Sequence, residues 1–163
     1  MRAQPAFALL VLLLLWAPAQ AGTDAQIKRA CRELVLDYAY YRDRRNARRF
    51  ADVFTDDAQL NVLAETWHGR QSIHDRLAGQ PDDAPILRHL MSTIRIFVEN
   101  ESEARGVSYV TIVTAPANPS GSAIADTFTA VGEYHDQFRR TARGWKIARR
   151  TFVPVFLPPA DSD

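Results

Sequence analysis

The sequence predicts an α+β domain in which N-terminal helices pack into a strongly curved antiparallel sheet. Apolar residues recur with a helical period between residues 27 and 43. After residue 85, four long segments with strand character follow one another, separated by short polar or Pro- and Gly-containing turns. Because helices come first and strands afterwards, the helices are expected to cover one face of the sheet.

The first 21 residues have the pattern of a secretory signal peptide. Arg2 supplies a positive charge, residues 6–17 form an apolar run, and small residues occupy the two positions that a signal peptidase reads before Gly22. An apolar run of 12 residues is short for an uncleaved anchor, because a bilayer core requires about 20. We therefore expect residues 1–21 to be removed and the mature protein to be periplasmic or secreted.

Residues 22–157 are long enough for one domain with its own core, and residues 158–163 are expected to form a flexible tail. Without the signal segment, the chain carries 19 basic and 19 acidic residues. This balance indicates neither a nucleic-acid partner nor an anionic membrane surface after cleavage. Cys31 is the only cysteine, so no internal disulfide can form.

The predicted elements follow from periodicity and from helix and turn signals. Helices are expected at residues 27–43, 47–54 and 71–77, with Asn46 as the N-cap of the second. Strands are expected at residues 59–63, 65–68, 86–99, 104–115, 124–140 and 145–155. The adjacent arginines at 44–45, 48–49, 139–140 and 149–150 are interpreted as solvated faces.

The strand predicted at residues 124–140 carries the most information about the interior. Side chains alternate along a strand, so Thr129 and His135 should face water. The opposite face is expected to contain Phe128, Ala130, Gly132, Tyr134, Asp136 and Phe138. A carboxylate is unusual on such a face. Asp136 should therefore either pair with Arg149 or Arg95, or line a cavity that is open to water and ligand.

Three stretches carry a resemblance to a known family. They are YYRDRRNARRF at residues 40–50, RHLMSTIRI at residues 88–96, and GEYHDQFRRTARGWKIARRTF at residues 132–152. Together with the order of helices and strands, they resemble the SnoaL-like branch of the nuclear transport factor 2-like superfamily over residues 25–155. This resemblance implies a cone-shaped fold with one internal cavity. It also implies cofactor-free acid–base chemistry, or ligand binding without chemistry.

The resemblance implies candidate catalytic residues. Asp43 matches the aspartate at the end of the first helix in dehydratase-like members, and His89 matches their strand histidine. His89 would act as the general base or acid, Asp43 would orient it, and Tyr41 or Tyr134 would donate a hydrogen bond to a developing oxyanion. Residues 107–117 contain no second strand histidine, which departs from the dehydratase pattern. The expected ligand-binding residues are Tyr38, Trp67, Phe128, Tyr134, Asp136 and Phe138.

Several functional classes are not indicated by the sequence. It contains no metal-ligand spacing, no dinucleotide or phosphate-binding loop, and no nucleophile elbow, so neither a metal nor another cofactor is expected. The expected partner is a small apolar molecule, and three interpretations of the function stay open. The first is a lyase, isomerase or cyclase that acts on a small apolar or aromatic oxygenated compound. The second is a non-catalytic binding module, and the third is an accessory subunit that forms a homodimer through the sheet. A hydrogen bond between Asp43 and His89 would favour the enzyme.

Overall fold

The computed structural model describes residues 23–118, 121–125 and 128–158, and the α+β prediction is confirmed. The predicted signal peptide and residues 159–163 of the predicted tail lie outside the described residues. The helices are α1 (Asp24–Asp43), α2 (Ala47–Asp52) and α3 (Arg70–Ala78). The strands are β1 (Phe54–Val62), β2 (Glu65–His68), β3 (Ile86–Val98), β4 (Glu103–Ala115), β5 (Ala130–Thr141) and β6 (Gly144–Phe156). None of the helices in these ranges is long and apolar enough to cross a membrane.

The strands form one curled, unclosed sheet with the order β2-β1-β6-β5-β4-β3. All neighbours pair antiparallel except β1 and β6, which are parallel. The strand register shifts in β3 between Ser92 and Arg95, and again where β5 pairs with β6. Such irregularities bend and twist strands, and here they help the sheet to curl around α1.

Helix α1 begins at a capping box and buries one continuous apolar face. The Thr23 hydroxyl accepts from the Gln26 amide, and the Gln26 side chain accepts from the Thr23 amide, which satisfies two groups at the helix start. The buried face consists of Ile27, Cys31, Leu34, Val35, Tyr38, Ala39 and Arg42. The spacing of these residues follows the helical repeat, so the face points continuously into the concave side of the sheet.

The largest differences from the predicted boundaries lie at the junction of α2 with β1 and at the start of β5. The first strand was expected at residues 59–63, but β1 begins at Phe54. The predicted second helix extends to residue 54, but α2 ends at Asp52 because the Val53 carbonyl accepts a hydrogen bond from Ile147 and the chain then enters the sheet. The strand predicted from residue 124 begins only at Ala130. Pairing with β4 starts there, because Ala130 is the first residue of β5 that lies opposite a β4 residue. Phe128 therefore precedes the strand and is half-buried. From Ala130 onward the predicted alternation of buried and exposed residues is confirmed.

A single arginine ties the end of α1 to the loop that leads into β3. Arg45, which has a φ of 53°, donates to the carbonyls of Pro81 at 3.0 Å, Asp82 at 3.1 Å and Pro85 at 3.2 Å, and also to that of Ala84. Four carbonyls of one loop are thus satisfied by one guanidinium. This arrangement places the first residues of β3 beside the last turn of α1.

Candidate active site

Asp43 and His89 form a hydrogen-bonded dyad at the junction of α1 and β3. Asp43 is the last residue of α1, and His89 is the fourth residue of β3. The His89 Nδ1 lies 2.5 Å from Asp43 Oδ1, and the His89 backbone amide donates to Asp43 Oδ2 at 2.9 Å. The two side chains are only 4% and 7% exposed for His89 and Asp43, respectively. The carboxylate therefore holds both the ring and the backbone of the histidine.

The dyad geometry determines what His89 can do chemically. An ionised carboxylate only accepts hydrogen bonds, so the shared proton lies on Nδ1 when the imidazole is neutral. The Nε2 atom is then left with a lone pair and can accept a proton. Tyr38 packs edge-on against the His89 ring at a centroid distance of 6.0 Å, and Tyr134 stacks against it at 6.4 Å.

The other predicted catalytic residue, Tyr41, is not part of this contact. Its side chain is half-buried and packs edge-on against Tyr40 at 5.2 Å. The backbone carbonyl of Tyr41 accepts from Asn46 in the turn after α1. The structure thus brings Asp43 and His89 together with Tyr38 and Tyr134, and places Tyr41 at the helix end beside them.

Asp136 is paired, but with neither of the predicted arginines. Arg150 binds it with two hydrogen bonds, Nε to Oδ1 at 2.7 Å and Nη2 to Oδ2 at 2.6 Å, and both side chains are fully buried. The predictions of Arg149 and Arg95 are wrong. A register shift between β5 and β6 turns Arg150 inward and leaves Arg149 to bind Gln59, while Arg95 is exposed. The prediction that both arginines at 149–150 are solvated is wrong for the same reason.

Aromatic rings enclose the buried guanidinium of Arg150. Its central carbon lies 4.1 Å from the Tyr38 ring centroid and 4.5 Å from that of Tyr134. Burial alone would lower the pKa of Arg150, but the charge of Asp136 and its hydrogen bonds raise it. The pKa of Tyr134 is raised well above its ordinary value, mainly by burial and then by Tyr38. Tyr134 is therefore a hydrogen-bond donor and not a base at physiological pH.

The predicted ligand-binding residues separate into two groups. Tyr38, Tyr134, Asp136 and Phe138 lie together in the buried interior. There, Tyr38 packs against Tyr134 at 5.3 Å, and Tyr134 against Phe152 at 5.6 Å. The other two residues, Trp67 in β2 and Phe128 before β5, are half-buried.

An open groove of about 520 Å³ runs between α1 and β3 and borders the dyad. Its lining consists of Leu36, Asp37, Ala39, Tyr40, Asp43, Arg44, His89, Leu90 and Met91. A further groove of about 390 Å³ crosses the opposite, outer face of the sheet around Val107 and His135. Of these two, the α1–β3 groove is the approach from solvent to the dyad.

The described residues offer little support for other chemistries. Within residues 23–118, 121–125 and 128–158, no three His, Cys, Asp or Glu side chains lie close enough to hold a metal ion. Cys31 is buried in the core, and burial, followed by the charge of Asp136, raises its pKa to about 12. Because the thiolate is the nucleophilic form, this thiol is unreactive at neutral pH.

The helices, the curled sheet and the dyad together define a SnoaL-like protein. The sequence profile of the SnoaL-like domain family matches residues 23–151, so the chain belongs to that family. A search of curated proteins finds no match. An NTF2-like protein with a cystatin-like fold from Novosphingobium aromaticivorans has a TM-score of 0.65 at 21% identity, with 82% of this chain and 84% of that chain covered.

Two further solved structures share the fold and bear the names of enzymes. A candidate scytalone dehydratase from Novosphingobium aromaticivorans is 21% identical with a TM-score of 0.66, covering 83% of this chain and 94% of that chain. The hexachlorocyclohexane dehydrochlorinase LinA-type3 from Novosphingobium barchaimii is 18% identical with a TM-score of 0.67, covering 84% and 92%. At these identities the likeness establishes the fold alone.

Replacing Asp136 by Asn should strongly destabilise the protein, because Arg150 would keep its charge at a position that is fully buried. The expected loss in the free energy of unfolding is about 3–5 kcal/mol. The matched control is Asp57→Asn, which breaks an exposed ion pair with Arg139 and should cost no more than about 1 kcal/mol. Urea denaturation measures both.

The double variant Asp136→Leu with Arg150→Met tests the same explanation in the opposite direction. It removes both charges, so it should recover much of the stability that Asp136→Asn loses. Equal, small losses of stability for Asp136→Asn and Asp57→Asn would contradict a buried ion pair.

Proposed function

We propose that the protein is a cofactor-free acid–base enzyme in which His89 is the proton-transferring group and Asp43 orients it. The observation that carries this proposal is the bidentate use of the Asp43 carboxylate, which fixes both the ring and the backbone of His89. Such an arrangement selects one tautomer and stabilises the imidazolium ion that forms when the base takes a proton.

The proposed reaction is an elimination, isomerisation or cyclisation that begins with proton removal by His89 Nε2. Tyr134, kept protonated by burial, is the candidate donor to the oxygen on which negative charge develops. His89 then returns the proton to a leaving group or to another carbon. This reaction needs no cofactor, because the only group that His89 takes up and returns is a proton.

The names of two relatives favour elimination among these reactions. A dehydratase and a dehydrochlorinase both appear among proteins of this fold, and both names describe the loss of a small molecule. We therefore propose that this protein has a lyase activity on a small organic compound, which enters through the α1–β3 groove. The alternative, a binding module, would use the same polar groups only to orient a ligand.

The tautomer of His89 tests the dyad directly. Two-bond 15N–1H NMR correlations should show the proton of neutral His89 on Nδ1, where Asp43 accepts it. Asp43→Ala removes that acceptor, so the proton should redistribute toward Nε2. The matched control is Asp37→Ala, an aspartate six residues earlier on α1 that also lines the groove.

Three outcomes have distinct meanings for the enzyme proposal. An unchanged His89 tautomer in Asp43→Ala would show that the two residues do not communicate, and the binding-module interpretation would replace the enzyme. A change in Asp37→Ala as large as that in Asp43→Ala would indicate a general disturbance of α1 and would also count against the dyad. A change confined to Asp43→Ala supports the proposal.

We also propose that the protein is exported. The support is the pattern of residues 1–21, with its charged start, apolar run and small residues before Gly22. N-terminal sequencing of the protein recovered from the periplasm or medium should give Gly22 as the first residue. A cell-associated protein that retains residues 1–21 would contradict this.

A homodimer through the outer sheet face is the third part of the proposal. Tyr109 and Val153 both pair with Glu133, which lies on the face opposite the buried Tyr134, so both apolar side chains point outward. Both are exposed, as are Leu90, Phe97 and Phe156 on the same sheet. Apolar side chains grouped on one sheet face are typical of an interface.

Light scattering coupled to size-exclusion chromatography tests this interface. The parent protein should have the mass of a dimer, and Tyr109→Asp combined with Val153→Asp should convert it to a monomer, because two charges would be buried at the contact. The control is Leu63→Asp, an exposed apolar residue in the β1–β2 turn, which should stay dimeric. A monomeric parent protein would rule out the dimer.

A further inference from the structure

The last turn of α1 contains a buried arginine, Arg42, that has no acidic partner among the described residues. Arg42 is only 8% exposed, and its Nη1 donates to the Gln80 side-chain oxygen at 3.3 Å. Within the part of the chain that the structure describes, no carboxylate oxygen lies within 4.0 Å of its guanidinium. Arg150 is even more deeply buried but has Asp136 beside it. Buried charges are normally paired, so Arg42 is the exception that requires an explanation.

A second arginine, which lies on α3, precedes Gln80, and its charge acts on Arg42. Arg76 is in the last turn of α3, and Gln80, the partner of Arg42, follows it by four residues. The Arg76 guanidinium stacks on Trp67 at 4.0 Å, and its Nε is buried without a hydrogen-bond partner among the described residues. Its nearest carboxylate is the largely exposed Glu65, at 3.8 Å, which is longer than a hydrogen bond.

The two positive charges act on each other. Burial lowers the pKa of Arg42, and the charge of Arg76 lowers it further, while Tyr38, Tyr134 and Asp43 oppose this. Asp43 forms no hydrogen bond with Arg42 among those of the described residues; its two oxygens accept from the backbone amide and the ring of His89. Neighbouring like charges with little acid between them are unfavourable in the free protein, and an anion placed between them would relieve this cost.

Ordinary structural roles account for only part of this arrangement. A cation in the last turn of α3 is favourable because of the helix dipole, which explains the position of Arg76. Surface arginines of this chain behave differently, as shown by Arg70, which pairs with Asp56 at 3.0 Å. Neither the dipole nor surface pairing explains why a second, buried arginine lies beside Arg76.

We propose that Arg42 and Arg76 form an anion subsite next to the dyad, and that the substrate is a small carboxylate with an unsaturated or aromatic body. A carboxylate matches the fork of a guanidinium, and the Trp67 ring on which Arg76 stacks offers aromatic surface beside it. The ligand is a substrate only if the proposed function holds, whereas its binding at the two arginines does not depend on catalysis. The proposed ligand is anionic, in place of the small apolar molecule expected from the sequence.

The test compares benzoate with benzamide, which have the same ring and nearly the same shape but differ in charge. Titrations followed by 15N–1H NMR at constant ionic strength should show benzoate binding at least about tenfold more tightly, since hydrogen bonds to charged groups are the stronger ones. Arg42→Gln and Arg76→Gln should each weaken benzoate binding by about tenfold or more. The matched control is Arg70→Gln on the same helix, which should bind benzoate as the parent does.

The outcomes separate this inference from the proposed function. Equal binding of benzoate and benzamide, or a loss in Arg70→Gln as large as that in Arg76→Gln, would overturn the anion subsite. If Arg42→Gln fails to fold, Arg76→Gln still decides, because Arg76 is partly exposed. Benzoate binding that survives His89→Gln supports the subsite independently of the dyad. The His89 tautomer measurement then decides separately whether the site is catalytic.

Discussion

The buried ion pair between Arg150 and Asp136 is the interaction on which the interior depends. A charge in this position is tolerated only because two short hydrogen bonds neutralise it. The aromatic rings of Tyr38 and Tyr134 then pack around the guanidinium. The same two rings also contact His89. The position of the dyad therefore depends on the tyrosines that pack around the buried ion pair.

The dyad in turn depends on contacts between segments that are far apart in the chain. Asp43 and His89 are separated by 46 residues, and a helix end would not by itself fix the position of an edge strand. Arg45 provides that constraint by holding the carbonyls of Pro81, Asp82, Ala84 and Pro85. At this junction, hydrogen bonds and not apolar packing hold the helix end against the strand. A groove between α1 and β3 stays open to solvent beside them.

Local patterns predicted the elements well but could not predict how strands align. Periodicity and capping identified α1 and the Asn46 cap, whereas the partner of Asp136 was predicted wrongly. That partner depends on a register shift between β5 and β6, which strand alternation does not reveal. The approach of Asp43 and His89 was accessible only through the family resemblance. Arg42 was missed, although its position four residues after Tyr38 on the apolar face of α1 was a usable signal.

The proposed anion subsite and the dyad are joined through one turn of α1. Arg42 directly precedes Asp43 near the end of this helix, and Asp43 holds both the ring and the backbone amide of His89. A carboxylate bound at Arg42 would therefore have a fixed position relative to the residue that orients the base. Binding energy at the arginines would in this way contribute to the chemical step and not only to affinity.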